Sequence, residues 1–167
     1  EQVVKFPVIN FVNPNININL AHMNIKFIKG DATRPQGQGN KIICHICNDR
    51  GAWGAGFVLA LSKRWKTPEH FYRAMQKYEP GDAKVLQVED DIWVANMIAQ
   101  HGTGISKDGI PPIRYTWLAE ALYAVNRVAV EKQATLHMPR IGCGLAGGKW
   151  EAVEAVIRAV VTVDVVV

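Results

Sequence analysis

A chain of 167 residues, 49% of them hydrophobic, is long enough for one domain with a proper core and too short for two comfortable ones. The formal net charge of +4 comes from scattered Lys and Arg residues, which favours anionic ligands without singling out nucleic acid. Apolar runs fall short of the roughly 18 to 20 residues of a membrane-spanning helix, and three cysteines without a secretory signal pattern argue against a disulfide framework. A soluble, cytoplasmic monomer with free thiols is the expectation.

The first residues read differently from the rest. Asn10, Asn13, Asn15, Asn17 and Asn19 punctuate an otherwise apolar, glycine-free segment that ends in His22-Met23, a pair that resembles a cloning-site scar. Residues 1–22 are therefore expected to be a tag or an extra N-terminal segment, and residues 23–167 the domain. The alternative is an edge strand, since residues 15–20 alternate polar and apolar with a period of two.

From Asn24 the pattern predicts a strand at 25–28, the turn Gly30-Asp31-Ala32-Thr33, a Gly, Gln and Pro-rich loop, and a strand at 42–47. That second strand is apolar on both faces, as a central strand covered by helices on each side must be. Helices are predicted at 57–65 and 68–77, the latter with Pro68 in its first turn. Strands follow at 83–88 and 92–98 around the acidic turn Glu89-Asp90-Asp91. Trp117, Leu118, Ala121, Leu122, Val125, Val128 and Ala129 recur at helical spacing. A strand at 134–138, a helix at 150–160 and a valine strand at 160–167 complete an α/β alternation, which implies a mixed or largely parallel sheet with helices on both faces.

Two glycine-dense loops sit between strand and helix: Asn48-Asp49-Arg50-Gly51-Ala52-Trp53-Gly54-Ala55-Gly56, and Pro139 through Lys149 with Gly142, Gly144, Gly147 and Gly148. Glycine lets backbone approach a ligand closely, and a following helix N-terminus attracts anionic oxygens. One such loop suits one phosphate. Two at the carboxyl ends of buried strands would face one crevice and clamp a diphosphate, so a nucleotide diphosphate is the simplest ligand.

Other readings compete. Cys44 and Cys47 form a C-x-x-C, but on a strand they point to opposite faces and no second pair follows, so no metal is expected. Cys143 would be a reactive thiol if a helix N-terminus lowered its pKa, or simply a small side chain in a tight loop. Gly142-Cys143-Gly144-Leu145-Ala146-Gly147 fits the dinucleotide fingerprint of NAD-dependent oxidoreductases, with Asp164 as ribose partner, but it opens the last βα unit and leaves no room for a nicotinamide half. No cofactor is expected. Of the five tryptophans, Trp53 alone, inside a glycine loop, is a credible ligand-facing ring.

Gly30-Asp31-Ala32-Thr33, Cys44-His45-Ile46-Cys47-Asn48 with Gly51 to Gly56, and Met138 to Leu145 together resemble a macrodomain, nearest the Appr-1″-p processing branch and the terminal ADP-ribose glycohydrolases. The resemblance runs from about Asn24 to the end. It implies a three-layer α/β/α fold with a mixed, mostly parallel sheet, and an ADP-ribose ligand, free or attached to protein or nucleic acid. It places Asp31 and Ala32 on the adenine; Asn48, Gly51, Trp53, Gly54, Ala55, Gly56 and Phe57 around the distal ribose and one phosphate; and Ile141, Gly142, Cys143, Gly144, Leu145 and Ala146 along the other side of the diphosphate. Gln100 and His101 fall near the distal end. His45 resembles the catalytic histidine proposed for the ADP-ribose 1″-phosphate phosphatases and, with Asn48, is the candidate for chemistry; a packed interior histidine is the alternative. Asp31 alternatively caps a turn. The lysine and acidic residue of the glycohydrolase branch correspond to Gln100 and Ala146, so that mechanism does not carry over, and the aromatic ring that family members place on adenine near the last strand is missing at Val167, as if a few residues had been cut off. Removal of ADP-ribose from modified substrates, or hydrolysis of ADP-ribose 1″-phosphate, is the expected activity, with a non-catalytic reader as the alternative.

Overall fold

The structure, a computed structural model, describes residues 23–167; the tag or edge-strand question at residues 1–22 lies outside them. The chain runs β1 (Ile25–Lys26), β2 (Lys41–Asn48), α1 (Phe57–Arg64), α2 (Thr67–Ala74), β3 (Ala83–Glu89), β4 (Ile92–Gln100), α3 (Tyr115–Lys132), β5 (Thr135–His137), α4 (Trp150–Val160) and β6 (Val165–Val166). Among the described residues these strands form one six-stranded sheet in the order β1-β6-β5-β2-β4-β3, all neighbours parallel except the β3–β4 pair.

The sheet centres on β2 because its side chains are apolar on both faces. Ile42 and Cys44 join Trp93, Ala95 and Met97 of β4 in the core beneath α3 and α4, which contribute Leu118, Leu122, Val125, Val153 and Ile157. On the opposite face Ile43 packs with Val94 and Leu61 of α1, while Cys47 packs with Ile98 and Tyr72 of α2. Helices on both faces make the three layers. The hairpin to β3 is short, which forces antiparallel pairing there, whereas the crossovers through helices return the other strands parallel. Cys44 and Cys47 thus face opposite layers, and no group of metal ligands occurs among the described residues. No described helix is long and apolar enough to cross a membrane.

Three elements differ from expectation. The valine strand shrinks to Val165–Val166, because α4 runs on to Val160 and Thr162 turns aside to donate its N–H to Asn126 Oδ1 of α3 at 2.9 Å. β1 is correspondingly short: it pairs with β6 over two residues, extended by the Ile28 N–H to Val167 carbonyl bond of 2.8 Å. The helix expected at 68–77 ends at Ala74, where Tyr78 folds back and donates its hydroxyl to the Tyr72 carbonyl at 3.0 Å.

Candidate functional site

Strands β5, β2 and β4 are parallel neighbours, so their carboxyl ends open on one edge of the sheet, where α/β folds place ligands. The loops that leave those ends meet there. The first glycine loop follows β2, the segment 101–114 follows β4, and the second glycine loop follows β5. Together they enclose a cavity of 430 Å³.

Most of the residues expected at a diphosphate line this cavity. His45, Asn48, Trp53, Gly54, Ala55, Gly56 and Phe57 come from the β2 side, Gln100 from the end of β4, and Ile141, Gly142, Gly144, Leu145 and Ala146 from the second loop. The loops meet at the rim: the Leu145 Cδ1 methyl lies in van der Waals reach of Gly56, at 3.4 Å from where a Cβ would stand. Among the described residues the N–H groups of Gly54, Ala55, Gly144, Leu145 and Ala146 have no protein acceptor, and α1 starts at Phe57 without a side-chain cap. Backbone donors without partners seek oxygen atoms, and those of an anion suit them best.

A second cavity of 960 Å³ lies alongside and contains Asp31 and Ala32. Phe57, Pro139 and Arg140 line both cavities and join them into one cleft. Val166 and Val167 wall the second cavity together with the ring of Phe27, which stands just after β1 and is 48% exposed. Arg140 lies against the faces of Phe27 and Trp150, its guanidinium carbon 5.7 and 5.5 Å from the ring centroids. Nothing in the sequence signalled this trio, because Phe27 is far from Arg140 in the chain and only the pairing of β1 with β6 brings it near the loop after β5.

Gly51, His101 and Cys143 line neither cavity. Gly51 serves the turn, with φ of 76° and the Tyr78 hydroxyl where a Cβ would go. His101 Nδ1 donates a 2.7 Å hydrogen bond to Asp49 Oδ2, and Asp49 Oδ1 accepts the Gly102 N–H at 2.8 Å, which staples the loop after β4 to the loop after β2. Burial opposes ionisation of Asp49, but the Gly102 N–H and His101 bonds hold its carboxyl below the usual range. For Cys143 the reactive-thiol reading fails: burial raises its pKa, its Sγ faces the Ile141 carbonyl at 3.5 Å, and α4 does not begin until Trp150. The second loop is therefore a backbone nest closed by the Gly147 N–H to Gly144 and Gly148 N–H to Gly142 carbonyl bonds, not the start of a helix.

The side chains expected to do chemistry are occupied. His45 is 2% exposed; its Nε2 pairs with Asn96 Oδ1 at 2.6 Å, and the Asn96 amide is oriented by donating to the Pro68 carbonyl, so Nε2 carries the proton. Its ring also meets Trp53 edge to face at 5.2 Å. Burial lowers the His45 pKa to about 4, leaving it neutral at physiological pH. Asn48 Oδ1 accepts the Arg50 and Ala52 N–H groups at 2.9 and 3.1 Å and its Nδ2 donates to the Ala52 carbonyl at 2.7 Å, while the Tyr72 hydroxyl donates to the Asn48 main-chain carbonyl at 2.6 Å, with Oδ1 at 3.0 Å. Gln100 donates to the Gly102 carbonyl at 2.9 Å. Trp53 is no ligand platform: it is 3% exposed and its indole N–H donates to Ser62 Oγ at 2.8 Å. Asp31 Oδ1 accepts the Thr33 N–H and hydroxyl at 2.9 and 2.8 Å, which holds its pKa down, so the turn-capping role is filled while the rest of the exposed carboxylate fronts the second cavity.

The His45 environment has a measurable consequence. Its pKa is about 4 folded against 6.5 in an open chain, so below pH 6.5 the unfolded state binds more protons and stability falls with falling pH until about pH 4. Between pH 7 and 5 this histidine alone should remove about 2 kcal/mol of unfolding free energy. Urea titrations at both pH values should show that loss, and a folded His45→Asn variant should show a shallower one; an equal slope in the variant would refute the assignment.

None of the protein-family models compared with the sequence matches it. Individual proteins do. A chromodomain-helicase-DNA-binding protein 1-like of Danio rerio is 32% identical over 82% of this chain, which spans only 14% of that protein's length. An ADP-ribose 1″-phosphate phosphatase of Meyerozyma guilliermondii is 25% identical over 80% of this chain and 92% of its own. The solved structure of a macrodomain protein from Streptomyces coelicolor is 43% identical, covers 86% of this chain and 99% of that one, and superposes with a TM-score of 0.72. With identity of that level over the whole of a solved relative, and with the sheet order and paired glycine loops described above, the chain belongs to the macrodomain family.

Proposed function

We propose that this domain binds ADP-ribose across the two joined cavities and hydrolyses a bond at the ligand's distal end. The observation that carries the binding half is the cleft itself. Two backbone nests face each other across a cavity of diphosphate scale, and a second, partly apolar cavity with a carboxylate at its edge continues from it through Phe57, Pro139 and Arg140. The diphosphate takes the free N–H groups of both loops, the adenosine lies beside Asp31 and Phe27, and the distal ribose reaches toward Gln100 and Thr103. Macrodomain membership and the phosphatase relative support the same ligand.

The hydrolytic half follows from the ligand's own chemistry. In ADP-ribose 1″-phosphate, water adds to phosphorus, the P–O bond to the ribose breaks, and ADP-ribose departs with the proton as inorganic phosphate forms. The loops hold the diphosphate next to that centre and can orient the water through it. A second reading, a non-catalytic reader, is favoured by one observation: His45, Asn48 and Gln100 are all engaged in internal hydrogen bonds, and catalysis needs a group positioned at the reacting atom.

Incubation with ADP-ribose 1″-phosphate and with carboxylate, serine, arginine and nucleic-acid ADP-ribosyl conjugates separates the two. Slow release of phosphate or ADP-ribose supports hydrolysis; tight binding with no release from any substrate establishes the reader. Asp31→Ala should weaken ADP-ribose binding by roughly 1.5 to 3 kcal/mol, the worth of a charged hydrogen bond, read by calorimetry. An unchanged affinity would leave Asp31 with its turn alone.

A further inference from the structure

One buried polar group beneath the second cavity has a use that neither the fold nor the glycine loops account for. His137 closes β5; its register partner on β2 is Ile43, which packs against Leu61 of α1, so the imidazole points to the α1 side of the sheet. It is 4% exposed and lines the second cavity with Phe57, Ala60 and Val166. Its Nε2 meets Thr135 Oγ1 at 2.8 Å, and that hydroxyl has no other partner among the described residues. The hydroxyl therefore donates to Nε2, which puts the ring proton on Nδ1. Burial, helped by the charge of Lys41, lowers the His137 pKa to about 4, so at physiological pH the ring is neutral and carries this one proton.

Nδ1 has no hydrogen-bond partner among the described residues. Lys41 is not available to it, and as a cation could not accept its proton: its Nζ is held by the Gly39 carbonyl at 2.7 Å and Asp91 Oδ2 at 2.9 Å. Yet no described side-chain nitrogen or oxygen is sealed in the interior without a partner. Both facts hold together if Nδ1 opens onto the cavity that His137 lines. The walls around it are apolar, so a ligand that displaces water from this cavity must bring an acceptor or leave the donor unpaired.

Building on the ADP-ribose reading above, we propose that His137 reads the base of the ligand: its Nδ1–H donates to an acceptor nitrogen of the purine ring from the floor of the second cavity. Asp31, at the edge of the same cavity, accepts hydrogen bonds, and His137 supplies the opposite polarity. A base that satisfies both must present a donor and an acceptor at separate edges.

Calorimetry on a double-mutant cycle tests this, with wild type and His137→Phe each titrated with ADP-ribose and its 1-deaza, 3-deaza and 7-deaza adenine analogues. His137→Phe, folded by circular dichroism, keeps an aromatic ring and removes the donor, and should bind ADP-ribose about tenfold more weakly, the effect of one buried hydrogen bond. One analogue should lose about as much in the wild type and nothing further in His137→Phe, whereas losses due to other contacts should be equal in the two proteins. His137→Asn, whose amide N–H stands near the place of Nδ1, should recover part of the affinity for ADP-ribose and none for that analogue. Nitrogen-15 NMR of the wild-type imidazole carries the test if the Phe variant does not fold: Nδ1 should hold the proton in the free protein, and its resonance should move when ADP-ribose is added. Additive losses for all three analogues, a proton on Nε2, or an unmoved Nδ1 resonance would overturn the proposal while leaving ADP-ribose binding standing. Failure of ADP-ribose itself to bind overturns both.

Discussion

Gly54→Glu and Gly144→Glu should each abolish ADP-ribose binding while leaving the domain folded. Both positions line the first cavity, and a Cβ built at either meets no atom within 4 Å, so the backbone accepts a side chain without strain. The carboxylate then occupies the space of the diphosphate oxygens and repels them, a juxtaposition that costs several kcal/mol, or about a hundredfold or more in affinity. The contrast lies a few residues away. At Gly142 φ is 74° and a Cβ would collide with Ile113; at Gly147 φ is 70° and the Pro111 Cβ stands 2.8 Å off. Substitutions there should unfold the loop first and lose binding only as a result. Circular dichroism with calorimetry on Gly54→Glu, Gly144→Glu and Gly142→Ala reads the difference; wild-type affinity in either glutamate variant would show that the cavity does not hold the phosphates.

Asn48→Ala should be the most damaging single truncation in the site. Its side chain is a staple: one amide accepts from the Arg50 and Ala52 N–H groups and donates to the Ala52 carbonyl, fixing the first glycine loop to the end of β2. Alanine leaves those groups unsatisfied, with a loss of about 3 kcal/mol in stability and about tenfold or more in ADP-ribose affinity, because the free N–H groups of the loop no longer point inward together. Asn48→Asp keeps the acceptor and should recover part of the stability, but not the affinity, since it adds negative charge beside the ligand. If Asn48 acted by direct contact with the distal ribose, as the family resemblance implies, affinity would fall with stability unchanged, and chemical denaturation would separate the two accounts.

What was legible in the sequence was what local chemistry dictates. The run Ile42-Ile43-Cys44 is apolar on both faces and could only be a central strand, and glycines at 51, 54 and 56 and at 142, 144, 147 and 148 could only be turns or close approaches. The valine tail was misleading because β-propensity describes a surface to be packed: Thr162 turns aside to Asn126, and only Val165–Val166 pair as a strand. His45 and Trp53 were ambiguous for the same reason: their partners, Asn96 and Ser62, are set by register and helix packing, which no local pattern reveals. Phe27 escaped notice because only the pairing of β1 with β6 sets it beside Arg140.

Titration calorimetry of the intact domain with ADP-ribose, AMP and NAD tests the central claim most directly, because the cleft offers two cavities that a single ligand must fill together. Micromolar binding of ADP-ribose, with AMP far weaker for lack of the second phosphate and distal ribose and NAD far weaker for its bulk at the distal end, is the expected result. Preferential binding of NAD, or AMP binding as tightly as ADP-ribose, would contradict it.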